Sequence, residues 1–268
     1  MDRDLFAQTG RVRQVLGKRP RGMVVDVDGT ISEIAPLPES ASVSNAFKQH
    51  LRTLLKQLDL VAAISGRSAH DVRNLVGVEG LVYVGNHGLE WWSDGRALLW
   101  PGARPYVDKV ASALGEIRGQ LSLQGAIIEN KGVTAAIHYR EAEEAESARA
   151  AILAAIDNSP TAQGLRVTEG KMVIELRPPL RLHKGRALAT LVRKHGLRSV
   201  ICLGDDVTDV DAFTVLRKLR TAGGIDGLAV AVLGPETPKK VVNNADATLR
   251  GVPEVERFLQ WLTGELAG

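Results

Sequence analysis

Apolar residues in this chain come in short consecutive runs, separated by segments of helical spacing. The runs at 23–27, 60–64, 81–84, 200–203 and 228–233 are rich in Val and Ile. Strands covered on both faces have this pattern, because neither face meets water. Between them, segment 44–58 puts Phe47, Leu51, Leu54, Leu55 and Leu58 on one helical face. Ser68-Ala69-His70-Asp71 has the form of a capping box ahead of Val72, Leu75 and Val76. Segments 184–195, 207–220 and 253–262 read as further helices. Strand and helix alternate, which predicts an α/β fold around a parallel sheet.

The middle of the chain breaks that alternation. Helical segments at 107–117 and 143–156 are each followed by two short strands, 126–129 with 133–139 and 165–168 with 172–176. Asn130-Lys131-Gly132 and Glu169-Gly170-Lys171 supply tight turns between them. The order αββαββ predicts a separate α+β unit at 103–178, inserted into a core formed by 1–102 and 179–268. It also suggests an internal αββ duplication. Trp91, Trp92 and Trp100 are expected to pack in a hairpin around Ser93-Asp94-Gly95.

Composition narrows the classes. Among 268 residues, 34 Lys and Arg stand against 31 Asp and Glu, for a net charge of +3. The cations are dispersed, which argues against a nucleic-acid partner and suits a small anionic substrate. The single cysteine, Cys202, excludes an intrachain disulfide and lies in an apolar run, where it reads as a small buried hydrophobe. No apolar stretch approaches a membrane span, and Met1-Asp2-Arg3-Asp4-Leu5-Phe6 lacks the apolar core of a signal peptide. The expectation is a cytoplasmic monomer with no membrane partner.

Polar clusters sit at the C-terminal ends of the core strands, where open parallel sheets bind ligands. They are Asp26-Val27-Asp28-Gly29-Thr30, Ser65-Gly66-Arg67 and Gly204-Asp205-Asp206-Val207-Thr208-Asp209, and Lys184 opens a helix. The first strand is read through Val27, and residues two apart in a strand face the same side, so Asp26 and Asp28 can converge on one ion or one reacting group. Asp26, Asp28, Asp205 and Asp206 are hard oxygen donors that suit Mg2+. Ser65 and Lys184 suit phosphate oxygens. An aspartate beside a metal and a phosphate can act as nucleophile, with a second acid serving the leaving group and then water. Each piece also has a plain reading: a turn, a helix cap for Gly-Asp-Asp, or a solvated lysine.

Taken in order, these motifs resemble those of the haloacid dehalogenase superfamily. The second acid, Asp28, points toward its phosphatases. A closer resemblance is to the trehalose-6-phosphate phosphatases, through Ala63-Ile64-Ser65-Gly66-Arg67, Gly85-Asn86-His87-Gly88-Leu89-Glu90, Glu129-Asn130-Lys131-Gly132, Ile137-His138-Tyr139-Arg140 and 170–178. The resemblance implies a Rossmann-like catalytic core of the haloacid dehalogenase type and an inserted αββαββ cap domain for substrate specificity. It implies Asp26 as nucleophile, Asp28 as acid/base, and Ser65, Lys184 and the Gly66 N–H on the phosphoryl group. Mg2+ would be held by Asp26, Asp205 and the Asp28 backbone carbonyl. Asn86, His87, Glu129, Lys131, Arg140, Lys171 and Glu175 would contact the sugar. Thr30, Arg67, Asp206 and Asp209 would support these groups from behind. Sucrose phosphate or a glycosyl-3-phosphoglycerate are alternative substrates. Phosphate relocation by a mutase, or a catalytically silent sugar-phosphate sensor, are alternative roles; the intact Asp26, Asp28 and Asp205 oppose the sensor.

Overall fold

The computed structural model describes residues 3–35, 37–121, 124–235 and 237–267. The chain divides into two compact units, Met1–Ala97 with Leu182–Gly268, and Leu98–Arg181. In chain order the helices and strands before residue 100 are α1 (Thr9–Leu16), β1 (Arg21–Val25), α2 (Asn45–Gln57), β2 (Leu60–Ile64), α3 (Ala69–Val76), β3 (Val82–Gly85), β4 (Glu90–Ser93) and β5 (Arg96–Leu99). The second unit contains α4 (Tyr106–Gln120), β6 (Ile127–Asn130), β7 (Ala135–His138), α5 (Ala145–Asp157), β8 (Arg166–Gly170) and β9 (Val173–Arg177). The chain then forms α6 (Lys184–Lys194), β10 (Ser199–Gly204), α7 (Val207–Thr221), β11 (Asp226–Leu233), α8 (Lys239–Asn244), β12 (Ala247–Arg250) and α9 (Gly251–Glu265).

The first unit is built on a sheet of order β12-β11-β10-β1-β2-β3-β4-β5. Pairings from β12 through β3 are parallel, and β4 runs antiparallel to β3. The apolar runs bury both faces, as their pattern requires. On β1, Met23 and Val25 face the cluster that includes Phe47 and Leu51 of α2 and Phe258 and Leu259 of α9. Val24 faces the opposite cluster, with Leu188 and Leu191 of α6 and Phe213 and Leu216 of α7. Each such buried side chain contributes about 1.5–3 kcal/mol. Cys202 is buried in β10 within that second cluster, and burial pushes its thiol pKa up. Trp91 and Trp92 pack on opposite faces, and Asp94 and Gly95 turn the β4–β5 hairpin with positive φ. Trp100 is instead exposed.

Three elements fall outside the sequence reading: α1, although its buried Val12, Val15 and Leu16 are helically spaced, α8 and β12. The last two are short, six and four residues. A more consequential difference lies at β1, which ends at Val25, not Val27. The Val27 carbonyl there accepts the amides of Thr30, Ile31 and Ser32, turning the chain out of the sheet. Asp26 and Asp28 therefore sit in a loop, and the same-face argument for a strand does not apply to them.

In the second unit, β6-β7-β9-β8 form an antiparallel sheet. Ile137, Ile174 and Leu176 pack against Val110 and Ile117 of α4 and Ile152 and Ile156 of α5. The inner strands β7 and β9 are the second strands of the two αββ halves, the arrangement expected of a duplication. Asn130 closes the β6–β7 turn, its Oδ1 accepting the Gly132 N–H at 2.9 Å.

Candidate active site

The sheet changes winding direction at β1. The chain proceeds from β1 to β2 and β3 on one side, and from β10 to β11 and β12 on the other. The crevice beyond the C-terminal ends of β1 and β10 is the ligand position of such sheets. Asp26 follows β1 and Asp205 follows β10, and the Asp26 N–H donates to the Leu203 carbonyl at 3.0 Å.

Lys184, the first residue of α6, reaches this crevice and is 3% exposed. Its Nζ lies 2.8 Å from Asp26 Oδ1 and 2.8 Å from Asp209 Oδ1. Asp209 has a second task, because its Oδ2 accepts the Asp206 N–H at 3.1 Å in a capping box that starts α7. Asp206 is thus the helix cap. Gly204 makes room for this arrangement, since a Cβ there would collide with the Asp209 side chain. Gly29 does the same for Asp205: its φ is +79°, and a Cβ would fall on the Asp205 carboxylate.

Three buried carboxylates around one ammonium leave excess negative charge. Burial, then the Asp209 charge, pushes the Asp26 carboxyl up to about 7, although Lys184 pulls the other way. Asp209 is raised as well, by burial and Asp205 against the pull of Lys184. For Lys184, burial alone would favour the neutral amine, but Asp209 and Asp26 outweigh it and hold it charged. Carboxylate oxygens of Asp26, Asp205 and Asp209 lie within 4.8 Å of one another. Hard oxygen donors in that number fit a divalent cation, which would offset the surplus charge. The sequence did not single out Asp209 for this cluster, and the Asp28 carboxylate stands outside it.

Asp28 is held elsewhere. Arg67 grips it as a fork, with Nη2 to Oδ1 at 2.7 Å and Nε to Oδ2 at 2.8 Å, and Arg67 Nη1 also donates to the Pro38 carbonyl at 2.8 Å. Arg67 is thus in direct contact with the second acid. Thr30 is buried in the same loop. The Ser65-Gly66-Arg67 loop is braced by Asn86 and His87, which both adopt left-handed φ (47° and 55°). Their amides donate to the carbonyls of Arg67 (2.7 Å) and Ser65 (2.9 Å). The His87 ring lies against the Gly66 Cα, where a Cβ would collide with it. Glu90 ties this turn down, accepting from the Asn86 side chain and from the Ala69 N–H at 2.9 Å at the start of α3. Glu90 has no role among the sequence expectations; a carboxylate two residues after a Gly-closed turn is the available signal.

In the second unit the register β6-β7-β9 aligns Glu129, Ala136 and Glu175 in one row. Alanine between two glutamates leaves space for Lys131, whose Nζ lies 3.3 Å from Glu175 Oε1 and 3.7 Å from Glu129 Oε2. His138 shares the face of Ala136, two residues along β7, and its Nε2 is 2.9 Å from Glu129 Oε2. It joins Glu129, Lys131 and Glu175, which the sequence motifs group without it; strand parity with Ala136 is the available signal. Arg140 and Lys171 meet through Arg140 Nη2 and the Lys171 carbonyl at 3.3 Å.

Comparison with known proteins gives a concordant result. The sequence profile of the trehalose-phosphatases matches residues 24–244. A trehalose-phosphate phosphatase of Mycobacterium marinum is 35% identical over 268 residues, 95% of this chain and 65% of that protein. An uncharacterized glycosyl hydrolase of Mycobacterium tuberculosis is 38% identical over 214 residues, 76% of this chain and 16% of that protein. The chain spans 16% of the length of that glycosyl hydrolase and about two thirds of that of the M. marinum phosphatase, 65%. The C-terminal domain of a C. albicans trehalose-6-phosphate phosphatase superposes with a TM-score of 0.78 at 24% identity, covering 96% of each chain. A haloacid dehalogenase-like hydrolase from Bacteroides thetaiotaomicron superposes at 0.62 and 16% identity, covering 91% of this chain and 100% of its own. Among the described residues, no helix is long and apolar enough to cross a membrane. The chain belongs to the trehalose-phosphatase family, on a fold of the haloacid dehalogenase type.

Proposed function

We propose that this chain is a Mg2+-dependent phosphatase that hydrolyses trehalose 6-phosphate to trehalose and inorganic phosphate. The observation that carries the proposal is the buried Asp26 carboxylate, paired with Lys184 at the winding switch of the sheet and grouped with Asp205. Family membership narrows the substrate.

An Asp26 carboxylate oxygen attacks phosphorus in line, and the bond from phosphorus to the sugar oxygen breaks. Asp28 gives its proton to the departing sugar oxygen. Asp28 then takes a proton from the water that attacks the aspartyl-phosphate, releasing phosphate and restoring Asp26. The Ser65 hydroxyl, the Gly66 N–H and the Lys184 ammonium hold the phosphoryl oxygens. The Arg67 fork must open before Asp28 can donate a proton, so binding the phosphate monoester would exchange one Arg67 partner for another. Mg2+, held by Asp26, Asp205 and the Asp28 carbonyl, would supply charge neutralisation at the phosphoryl group. Asp206, Asp209 and Thr30 keep the loops and Lys184 in place. The Leu98–Arg181 unit is the cap of this reading, with Glu129, Lys131, Arg140, Lys171 and Glu175 as its candidates for recognising sugar hydroxyls; Asn86 and His87 are the candidates of the first unit.

The test is phosphate release from trehalose 6-phosphate, with and without EDTA, beside sucrose phosphate and glucosyl-3-phosphoglycerate. Trehalose 6-phosphate should be the preferred substrate, EDTA should abolish turnover, and Asp26→Asn should remove it. Wild-type turnover in Asp26→Asn would sink the nucleophile assignment. Faster release from another member of the panel would reassign the substrate.

A further inference from the structure

At the edge of the eight-stranded sheet opposite to Asp26 and Asp205, a cavity of about 760 Å³ is lined by Lys18, Arg198, Arg217, Arg220 and Asp226 among others. Lys18 comes from the α1–β1 link, Arg198 precedes β10, Arg217 and Arg220 end α7, and Asp226 opens β11. At about 3.3 Å per residue, β10 separates Arg198 from Asp205 by roughly 20 Å. The cavity is therefore distinct from the catalytic edge.

Its charge is not balanced. Lys18 pairs with Asp226 at 3.2 Å, and Arg220 with Asp246 at 2.7 Å. Arg217 donates to Asn244 Oδ1 at 2.8 Å and to the Asn244 carbonyl, both neutral acceptors. The exposed Arg198 side chain has no hydrogen bond or ion pair with any described residue. Two guanidiniums thus face one concavity with no carboxylate of their own, in a chain whose net charge is only +3. A cation in the last turn of α7 answers the helix dipole, which accounts for Arg220 but not for Arg217 one turn earlier. It does not account for Lys18 and Arg198, which three-dimensional packing brings in from other segments. Guanidinium forks match phosphate oxygens, and a volume of this size accommodates a small ligand. None of the described lining residues is aromatic, so the cavity offers charge without a stacking surface for a nucleobase.

We propose that this cavity binds a compact polyphosphate anion of the di- or triphosphate class. The probe is inorganic tripolyphosphate, titrated calorimetrically into the full chain in EDTA at constant ionic strength. Arg198→Glu and Arg217→Glu should each weaken its Kd at least tenfold. Arg198→Glu should leave the thermal midpoint of the ligand-free protein unchanged, because its side chain holds nothing else in place. The proposal is overturned if the affinity survives both substitutions, since that binding would belong to the catalytic edge. Equal heats from sulfate at the same ionic strength would also overturn it, as would tighter capture of a random-sequence oligonucleotide than of tripolyphosphate.

Discussion

Replacing Asp26 with Asn should stabilise the metal-free protein at alkaline pH even as it removes phosphate release. Asp26 is 6% exposed, and burial with the Asp209 charge brings its carboxyl up to about 7, against an ordinary value near 4. Between those two values the folded chain holds a proton that the unfolded chain has lost. A raised folded pKa means stability is fully present below about pH 4, declines as pH rises, and stays low beyond pH 7. A rise from near 4 to about 7 corresponds to about 4 kcal/mol, of which about 3 kcal/mol fall between pH 5 and pH 8.5. Asparagine does not ionise, and its Oδ1 can still accept from Lys184. Asp209 is present in both proteins, but its charge is one cause of the raised Asp26 value, so the difference reports the Asp26–Asp209 pair and not Asp26 alone. Urea unfolding in EDTA at pH 5, 7 and 8.5 measures the difference. The variant should gain about 3 kcal/mol on the wild type across that range, and excess Mg2+ should narrow the gap by relieving the same charge. Free energies that run parallel from pH 5 to 8.5 would refute the claim that this site is held under charge strain.

Gly29→Ala should cost about 1–2 kcal/mol in unfolding free energy through its positive φ, and lower phosphate release at least about tenfold because the new Cβ displaces Asp205; unchanged turnover would remove Asp205 from the site. Asp246→Asn should destabilise the fold by about 1–3 kcal/mol at pH 7. Burial disfavours the Asp246 carboxylate, but the Ala229 N–H, Arg220 and Arg11 outweigh it and depress its pKa. That stability is present above the ordinary carboxylate range and lost as pH falls through the lower folded value, so the two proteins should converge in strong acid; a constant gap would contradict the assignment. Glu175→Ala should lower turnover of trehalose 6-phosphate at least about tenfold more than that of p-nitrophenyl phosphate, because the removed carboxylate partners Lys131 and not the phosphoryl group. Equal losses on the two substrates would argue against a role in sugar recognition.

The parts legible in the sequence are those with a one-dimensional signature. The run Leu60 to Ile64 reads as a doubly covered strand because all five residues are apolar, and it is one. Likewise the 3.6-residue spacing of Phe47, Leu51 and Leu54 gives α2. What escaped depends on where the chain turns. No local pattern ends β1 at Val25, because the Val27 carbonyl and its three amide donors decide it. The Arg67 fork joins residues 39 positions apart, and Asp209 reaches the carboxylate cluster only because α7 begins against Gly204. His138 is ordinary in the sequence and becomes a partner of Glu129 through strand register.

Cys202 has a practical consequence. It is the sole thiol of the chain, and burial in β10 keeps it protonated and beyond the reach of alkylating reagents. Any cysteine introduced at an exposed position would then be the one reactive sulfur in the folded molecule. Maleimide dyes or nitroxide labels could be attached at single chosen sites without first deleting the native residue, leaving the packing of β10 intact.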